Sequence, residues 1–208
     1  MKKINMIDLS MKNKLLLMLS FIAIFAAIIS FGGFLKIAIG IVPIVLQNVL
    51  CILTAVLLGS FYGCLPTALF LSAGLLGLPV YSGGGNGIAV WLGPTGGFLP
   101  GYFAGALIAA LISGKPKVSE KKLSKKEIFR VSIAIILGMI VIYIPGLIHF
   151  SRWAFSAGKV PEDKSLFAFT MASCLLPYIP GDIIKIITAI PVALKIRPLI
   201  AQYLFSEK

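Results

Sequence analysis

Apolar residues run along this chain in long blocks, punctuated by short polar stretches and by clusters of glycine and proline. About 20 consecutive apolar residues form a helix long enough to cross a bilayer. On that template the pattern predicts spans at roughly 15–35, 42–60, 62–79, 96–113, 127–150 and 166–203. The last is too long for one straight helix. Pro177, Pro180 and Gly181 should break it near its middle, because proline removes a backbone donor and pushes the preceding residue out of helix. Two stretches read as non-helical: the glycine-rich segment 79–97 (PVYSGGGNGIAVWLGPTGG) and the basic linker 114–126 (GKPKVSEKKLSKK). Irregular backbone at membrane depth is tolerated where protein covers it or where it lines a cavity, so the glycine segment should fold over something. Seven of its nineteen residues are glycine, each costly to order, and a ligand beneath it would supply the ordering contacts.

Composition fixes the solvent. Hydrophobic residues make up 59% of the 208, charged residues 12%, and mean hydropathy is +1.02; a soluble domain carries about a quarter charged residues. The expected fold is all-α, a single integral membrane domain over 1–208 built as a bundle of six transmembrane helices, with the lipid bilayer as its setting. The basic N-terminus precedes an apolar run, Leu15 to Phe31, that resembles a signal peptide but exceeds the usual apolar core, so it is read as a retained first span.

The net charge of +12 does not point to nucleic acid, because the basic residues sit in short blocks between apolar runs, as topology signals do. With the N-terminus inside, fourteen Lys and Arg fall on the cytoplasmic side (among them Lys14, Lys115, Lys195 and Arg197) against four outside (Lys36, Arg152, Lys159 and Lys164). Both termini are therefore expected in the cytoplasm. Cys51, Cys64 and Cys174 lie in separate apolar stretches with no CxxC spacing and read as small core residues.

Six of the seven acidic residues fall in loops, termini or span edges; Asp182 alone sits well inside an apolar stretch, in YIPGDIIK at 178–185. A charge at mid-membrane costs about 2.5–3.5 kcal/mol on insertion scales, so it calls for a cavity and a partner. Lys185, three residues on, shares its helical face, and Asp182 falls in the first turn after Pro180-Gly181, where the helix dipole favours an anion. The letters YIPG recur at Tyr143–Gly146 without charges behind them, so the Pro-Gly turn alone does not require the pair. The pair is either a structural tie or part of a polar binding site or ion pathway.

Gln47, early in the second span, either glues two helices or faces a ligand. Asn86, after three glycines, is either a turn residue tolerating a left-handed backbone or a ligand contact. Trp91, Tyr81 and Tyr178 suit an interfacial aromatic belt or the walls around a ligand ring. Ala23 and Ala27, four apart, allow close approach of another helix, within the bundle or outside it. No catalytic or metal constellation is legible: His149 is the only histidine and is expected to be solvated or interfacial near the end of the fifth span, a second membrane aspartate is lacking, and so is the phosphate-cradling GxxxxGK. An enzyme is therefore not expected, nor a cofactor.

Four stretches, FLKIAIGIVPIVLQNV (34–49), GLLGLPVYSGGGNG (74–87), LGPTGGFLPGYFAGALI (92–108) and LPYIPGDIIK (176–185), together resemble the BioY family, the biotin-binding S components of energy-coupling factor transporters. The resemblance covers most of residues 15–200. It implies a six-helix membrane protein that captures biotin from outside and works with a transmembrane coupling subunit and two cytoplasmic ATPases. It further implies ligand-binding roles for Asp182, Lys185, Asn86, Gln47, Tyr178 and Trp91, and docking on the coupling subunit through Ala23 and Ala27. A stand-alone proton- or ion-coupled carrier using Asp182 is the alternative reading of the same residues, and a membrane enzyme with an unrecognised site is another.

Overall fold

The computed structural model describes residues 2–37, 41–118 and 124–205, with side chains from residue 13 onward. The chain begins with a long helix, α1 (Lys2–Gly32). A small antiparallel pair follows, β1 (Lys36–Ile37) against β2 (Ile44–Val45), with Lys36 opposite Val45 and Ile37 opposite Ile44. Next come α2 (Gln47–Leu58) and a 3-10 turn, Phe61–Cys64, that runs directly into α3 (Leu65–Leu75). The glycine-rich segment contains a second 3-10 turn, Ser82–Gly84, and the short helix α4 (Gly87–Leu92). The remaining helices are α5 (Phe98–Ser113), α6 (Lys125–Ser156), α7 (Leu166–Cys174) and α8 (Ile179–Phe205).

Four expectations are corrected. The second span does not start as helix at 42: Pro43 and the β-branched run around it put Ile44 and Val45 into a strand, and helix begins only at Gln47. Segment 79–97 is not wholly irregular, because Ile88–Leu92 carries no glycine or proline and closes a short helix. The last span breaks around Pro177 as expected, but between Cys174 and Ile179, before Pro180 and Gly181 and ahead of its middle. Pro180 and Gly181 lie in the first turn of α8, where a missing N–H costs nothing because it would have no helical acceptor. The fifth helix runs past 150 to Ser156, and at its other end a capping box, Ser124 with Glu127, starts it cleanly.

Among the described residues, two stretches are long and apolar enough to cross a membrane, Asn13–Gly32 and Lys125–Ser156. Helices α2 and α5 and the Phe61–Leu75 unit are apolar but shorter. A 12-residue helix such as α2 rises about 18 Å, well short of a hydrocarbon core of about 30 Å. Rows of exposed isoleucine, among them Ile140, Ile144 and Ile148 on α6 and Ile183, Ile184 and Ile187 on α8, cover the outside, as expected of a membrane protein surrounded by lipid.

The core is made of small residues that bring helices close. A Cβ at Gly105 of α5 would lie 2.5 Å from the Gly138 carbonyl of α6, so the two backbones touch where no larger residue fits. Ile52, Ala55, Ala106, Ala109, Ala134 and Ile135 close around this contact, fully buried, and Cys51, Cys64 and Cys174 are buried free thiols.

At the end of the bundle remote from the hairpin, α2 stops at Gly59 with φ 63°, and a side chain there would meet the Gly114 carbonyl. Arg197 of α8 reaches into this junction. Its Nη1 donates to the Val56 carbonyl (3.0 Å), and its Nη2 to the carbonyls of Ser113 (2.6 Å) and Gly114 (2.7 Å). Expected as one of the basic residues marking a membrane face, Arg197 is instead buried, satisfying the C-terminal carbonyls of α2 and α5.

Candidate ligand-binding site

Where α2 is too short to fill the bundle, a small cavity of about 60 Å³ opens. Its walls come from β2 and the start of α2, from the glycine segment (Tyr81, Ser82, Val90 and Thr95), from α5 and α6 (Phe98, Tyr102 and Tyr143), and from the α7–α8 break (Cys174, Tyr178, Asp182 and Lys185).

The break explains the polar centre. Because the chain leaves helix after Cys174 and re-enters it at Ile179, Asp182 lies in the first turn of α8, with its backbone N–H on the Tyr178 carbonyl (2.9 Å). Its carboxylate is 7% exposed for the residue as a whole and accepts three hydrogen bonds. Oδ1 takes Lys185 Nζ at 2.9 Å and Asn48 Nδ2 at 3.2 Å, and Oδ2 takes the Tyr143 hydroxyl. Lys185 spends all three of its N–H groups: besides Asp182 it donates to the Val45 carbonyl (2.8 Å) and to Asn48 Oδ1 (3.1 Å). Asn48 thus bridges the two charges, and its Oδ1 also caps its neighbour's N–H, from Val49 at 2.9 Å. A carboxylate offers about four acceptor positions, so one position on Oδ2 stays available while the ammonium is fully used.

Gln47 is 1% exposed; its Nε2 donates to the Val80 carbonyl at 2.7 Å, and its side chain lies where a Cβ at Gly33 would come within 2.5 Å. It ties α2 to the glycine segment and lines the cavity. Tyr178 is buried in the wall and donates to the Val42 carbonyl. Tyr81 is buried, with its hydroxyl on the Leu71 carbonyl (2.6 Å). Burial pushes the Tyr81 phenol above its ordinary pKa, which keeps it a donor.

Asn86 and Trp91 stand apart. Asn86 is exposed, its backbone is extended (φ −156°), and the left-handed positions fall on Gly83, Gly84 and Gly87 instead, so the turn role expected of it belongs to its neighbours. Neither residue lines the cavity. Trp91 acts one layer out, its Nε1 donating to the Tyr81 hydroxyl at 3.0 Å. His149, expected at a solvated boundary, is half-buried, with Nε2 2.9 Å from the Gly93 carbonyl and its ring against Gly97. The glycine segment is thus held by protein contacts: Gly83 N–H to the Gly33 carbonyl at 2.8 Å, Gln47 to Val80, Tyr81 to Leu71 and His149 at Gly93.

Sequence reasoning passed over Asn48 and Tyr143. Asn48 adjoins Gln47 in the only polar doublet of its apolar block, and Tyr143 opens the first of the two YIPG repeats. Both YIPG tyrosines line this one cavity. The repeat was the available signal.

Comparison with known proteins adds an independent line. The BioY family profile matches residues 5–202. The biotin transporter BioY of Rhodobacter capsulatus is 33% identical over 176 residues, covering 80% of this chain and 85% of the relative. The probable biotin transporter BioY of Pyrococcus horikoshii is 33% identical over 178 residues, covering 86% and 94%. Among solved structures, the S-component for biotin from an ECF-type ABC transporter superposes with a TM-score of 0.70 at 28% identity, over 89% of this chain and 93% of that one. With the fold, the cavity and these matches in agreement over nearly the whole length, the chain belongs to the BioY family.

Proposed function

We infer that this protein is the biotin-binding S component of an ECF-type transporter, a transport protein rather than an enzyme. The observation that carries the reading is a cavity lined by the Asp182–Lys185 pair in a chain that shares fold and sequence with biotin transporters. Biotin's ureido ring brings two N–H donors and one carbonyl. The open acceptor position on Asp182 Oδ2 suits one ureido N–H, and a carbonyl reaching Lys185 would replace one of its present acceptors. Phe98, Tyr102 and Tyr178 supply apolar walls for the fused rings and the valerate chain. Gln47 contributes through the wall it shares with Val80, and Trp91 through Tyr81. Asn86 would reach a ligand only if the glycine segment rearranged on binding.

In the membrane, six spans account for the helices: α1, the hairpin with α2, the Phe61–Leu75 unit, α5, α6, and α7 with α8 as one interrupted crossing. Both termini face the cytoplasm of this multi-pass cell-membrane protein, in keeping with the distribution of Lys and Arg. A transmembrane coupling subunit and two cytoplasmic ATPases would complete the transporter. Ala23 and Ala27 are exposed on α1 while Ala26 and Ile29 on its other side are buried, which supports docking through the small-residue face. Ala23→Trp with Ala27→Trp should abolish co-purification with the coupling subunit and leave biotin affinity unchanged; retained assembly refutes the docking face.

The deciding experiment is isothermal titration of the purified protein with biotin. One-to-one binding at nanomolar affinity, near 12 kcal/mol, is expected. Heat indistinguishable from dilution would refute the assignment, and biotin uptake driven by the proton gradient without any ATPase would favour a stand-alone carrier.

A further inference from the structure

Beyond the biotin cavity, the molecule carries a second built concavity, at the Arg197 end of the bundle. It is formed where the start of the apolar part of α1, the turn after α2, the second residue after α5 and the end of α8 meet. Two exposed lysines from distant parts of the chain, Lys14 and Lys115, line it together with Ser60 and Tyr62, and Met18 and Leu204 form apolar wall.

The basic residues here are not needed by the fold. A lysine at a helix C-terminus ordinarily satisfies the last carbonyls and the dipole. At this junction Arg197 already takes those carbonyls, at Val56, Ser113 and Gly114. Lys14 and Lys115 form no ion pair with any described residue; Lys115 lies over the Phe205 ring, 4.6 Å from its centroid, which steadies the ammonium without neutralising it. The floor is rigid. Ser60 is the one described non-glycine residue with positive φ (52°), and it is held there by its N–H on the Ala110 carbonyl at 2.9 Å. Strain of that kind persists where surrounding structure imposes it, and it turns Ser60 into the concavity.

Position selects the ligand. Lys14 is the second residue of the apolar stretch Asn13–Gly32 and Lys115 the second residue after α5, so in the six-span arrangement inferred above both ammonium groups lie at the depth where headgroups meet acyl chains. A basic pocket between membrane helices, with hydroxyl donors beside the charges and apolar wall leading toward the hydrocarbon, matches a phosphodiester carrying acyl chains. We propose that Lys14, Lys115, Ser60 and Tyr62 form a site for the phosphate of an anionic phospholipid headgroup. The proposal rests on the membrane setting and is independent of biotin.

The test uses the full-length protein in detergent with defined added lipid, read by native mass spectrometry. Phosphatidylglycerol should be retained at least tenfold more than phosphatidylcholine. Lys14→Gln with Lys115→Gln should bring it down to the phosphatidylcholine level, while Lys117→Gln with Lys195→Gln, an equal change in charge outside the concavity, should leave it as in wild type. Met18→Trp, which fills the concavity and keeps both lysines, should also lower retention, so the outcome does not depend on one variant folding. Ten millimolar inorganic phosphate should not displace the lipid. Equal retention of the two lipids, equal loss in both lysine pairs, or displacement by millimolar phosphate would each overturn the proposal, the last by making this a site for free anions. Retention unchanged in the Lys14/Lys115 variant together with failed assembly on a coupling subunit would overturn it in favour of a protein interface.

Discussion

Helix α8 buries a cation near each end, and the two are satisfied in opposite ways. Lys185 meets a carboxylate, an amide oxygen and a single carbonyl, two of the three on side chains able to move. Arg197, twelve residues on, meets backbone carbonyls at the ends of two helices. Those helix ends are fixed by the fold, and the planar guanidinium fits them as a fork. Lys185 also lines the polar cavity, whereas Arg197 is absent from its walls. A buried charge held by helix termini is a bolt. One held by side chains at a cavity can trade a partner for a ligand group at modest cost, because a charged hydrogen bond lost is matched by one gained.

That contrast can be broken most severely at Arg197. Replacing it by Ala strands three buried carbonyls, and at about 1–3 kcal/mol for each unsatisfied group the loss should exceed about 3 kcal/mol. A large drop in thermal midpoint and loss of monodisperse protein are expected, while any folded fraction keeps wild-type biotin affinity. Arg197→Lys should recover only part of the stability, because one ammonium cannot reproduce the fork. A stable Arg197→Ala protein would show the bolt to be dispensable.

At the other end the effect should fall on binding. Asp182→Asn and Lys185→Ala should each weaken biotin binding tenfold or more, about 1.4 kcal/mol or above, in protein that stays monodisperse. Wild-type affinity in both variants would make this pair a bolt too.

Tyr143→Phe removes one donor from Asp182 and frees a further acceptor position on Oδ2. Titration should show a change of roughly fivefold, the worth of about 1 kcal/mol. A tenfold loss or more would place Tyr143 on the same footing as the charges.

The smallest change is expected from Trp91→Phe. It deletes the bond to Tyr81 and leaves the cavity wall in place, so biotin affinity should stay within about twofold. A loss as large as that of Asp182→Asn would mean that the glycine segment moves Trp91 onto the ligand.

Legibility followed the range of the interaction. Asp182 and Lys185 were readable because they sit three apart on one helix, and the break before them because Pro177 and Pro180 announce it. The two-residue strands were not, since Ile44 and Val45 suit the beginning of a buried helix as well as a strand until Lys36 and Ile37 pair with them. Asn86 drew notice as a polar residue among glycines, yet its exposure depends on which way the segment turns, and that is set by Gly83, Gly84 and Gly87. His149 looked peripheral from its position near a span end, and only the packing of α6 against the Gly93–Gly97 turn shows what it holds.

By itself, then, the sequence determined the solvent, the helical class, the family resemblance and the one charged pair inside the oil, because hydropathy, helical spacing and proline chemistry act within a few residues. Tertiary structure alone decided who surrounds that pair. Asn48 reaches Asp182 from 134 positions away, Tyr143 from 39, and Lys185 finds the Val45 carbonyl across 140. Arg197 likewise meets Val56 across 141 positions. Such partners are chosen by which helices pack together, and buried polar groups must find them there because neither the core nor the lipid offers water in their place.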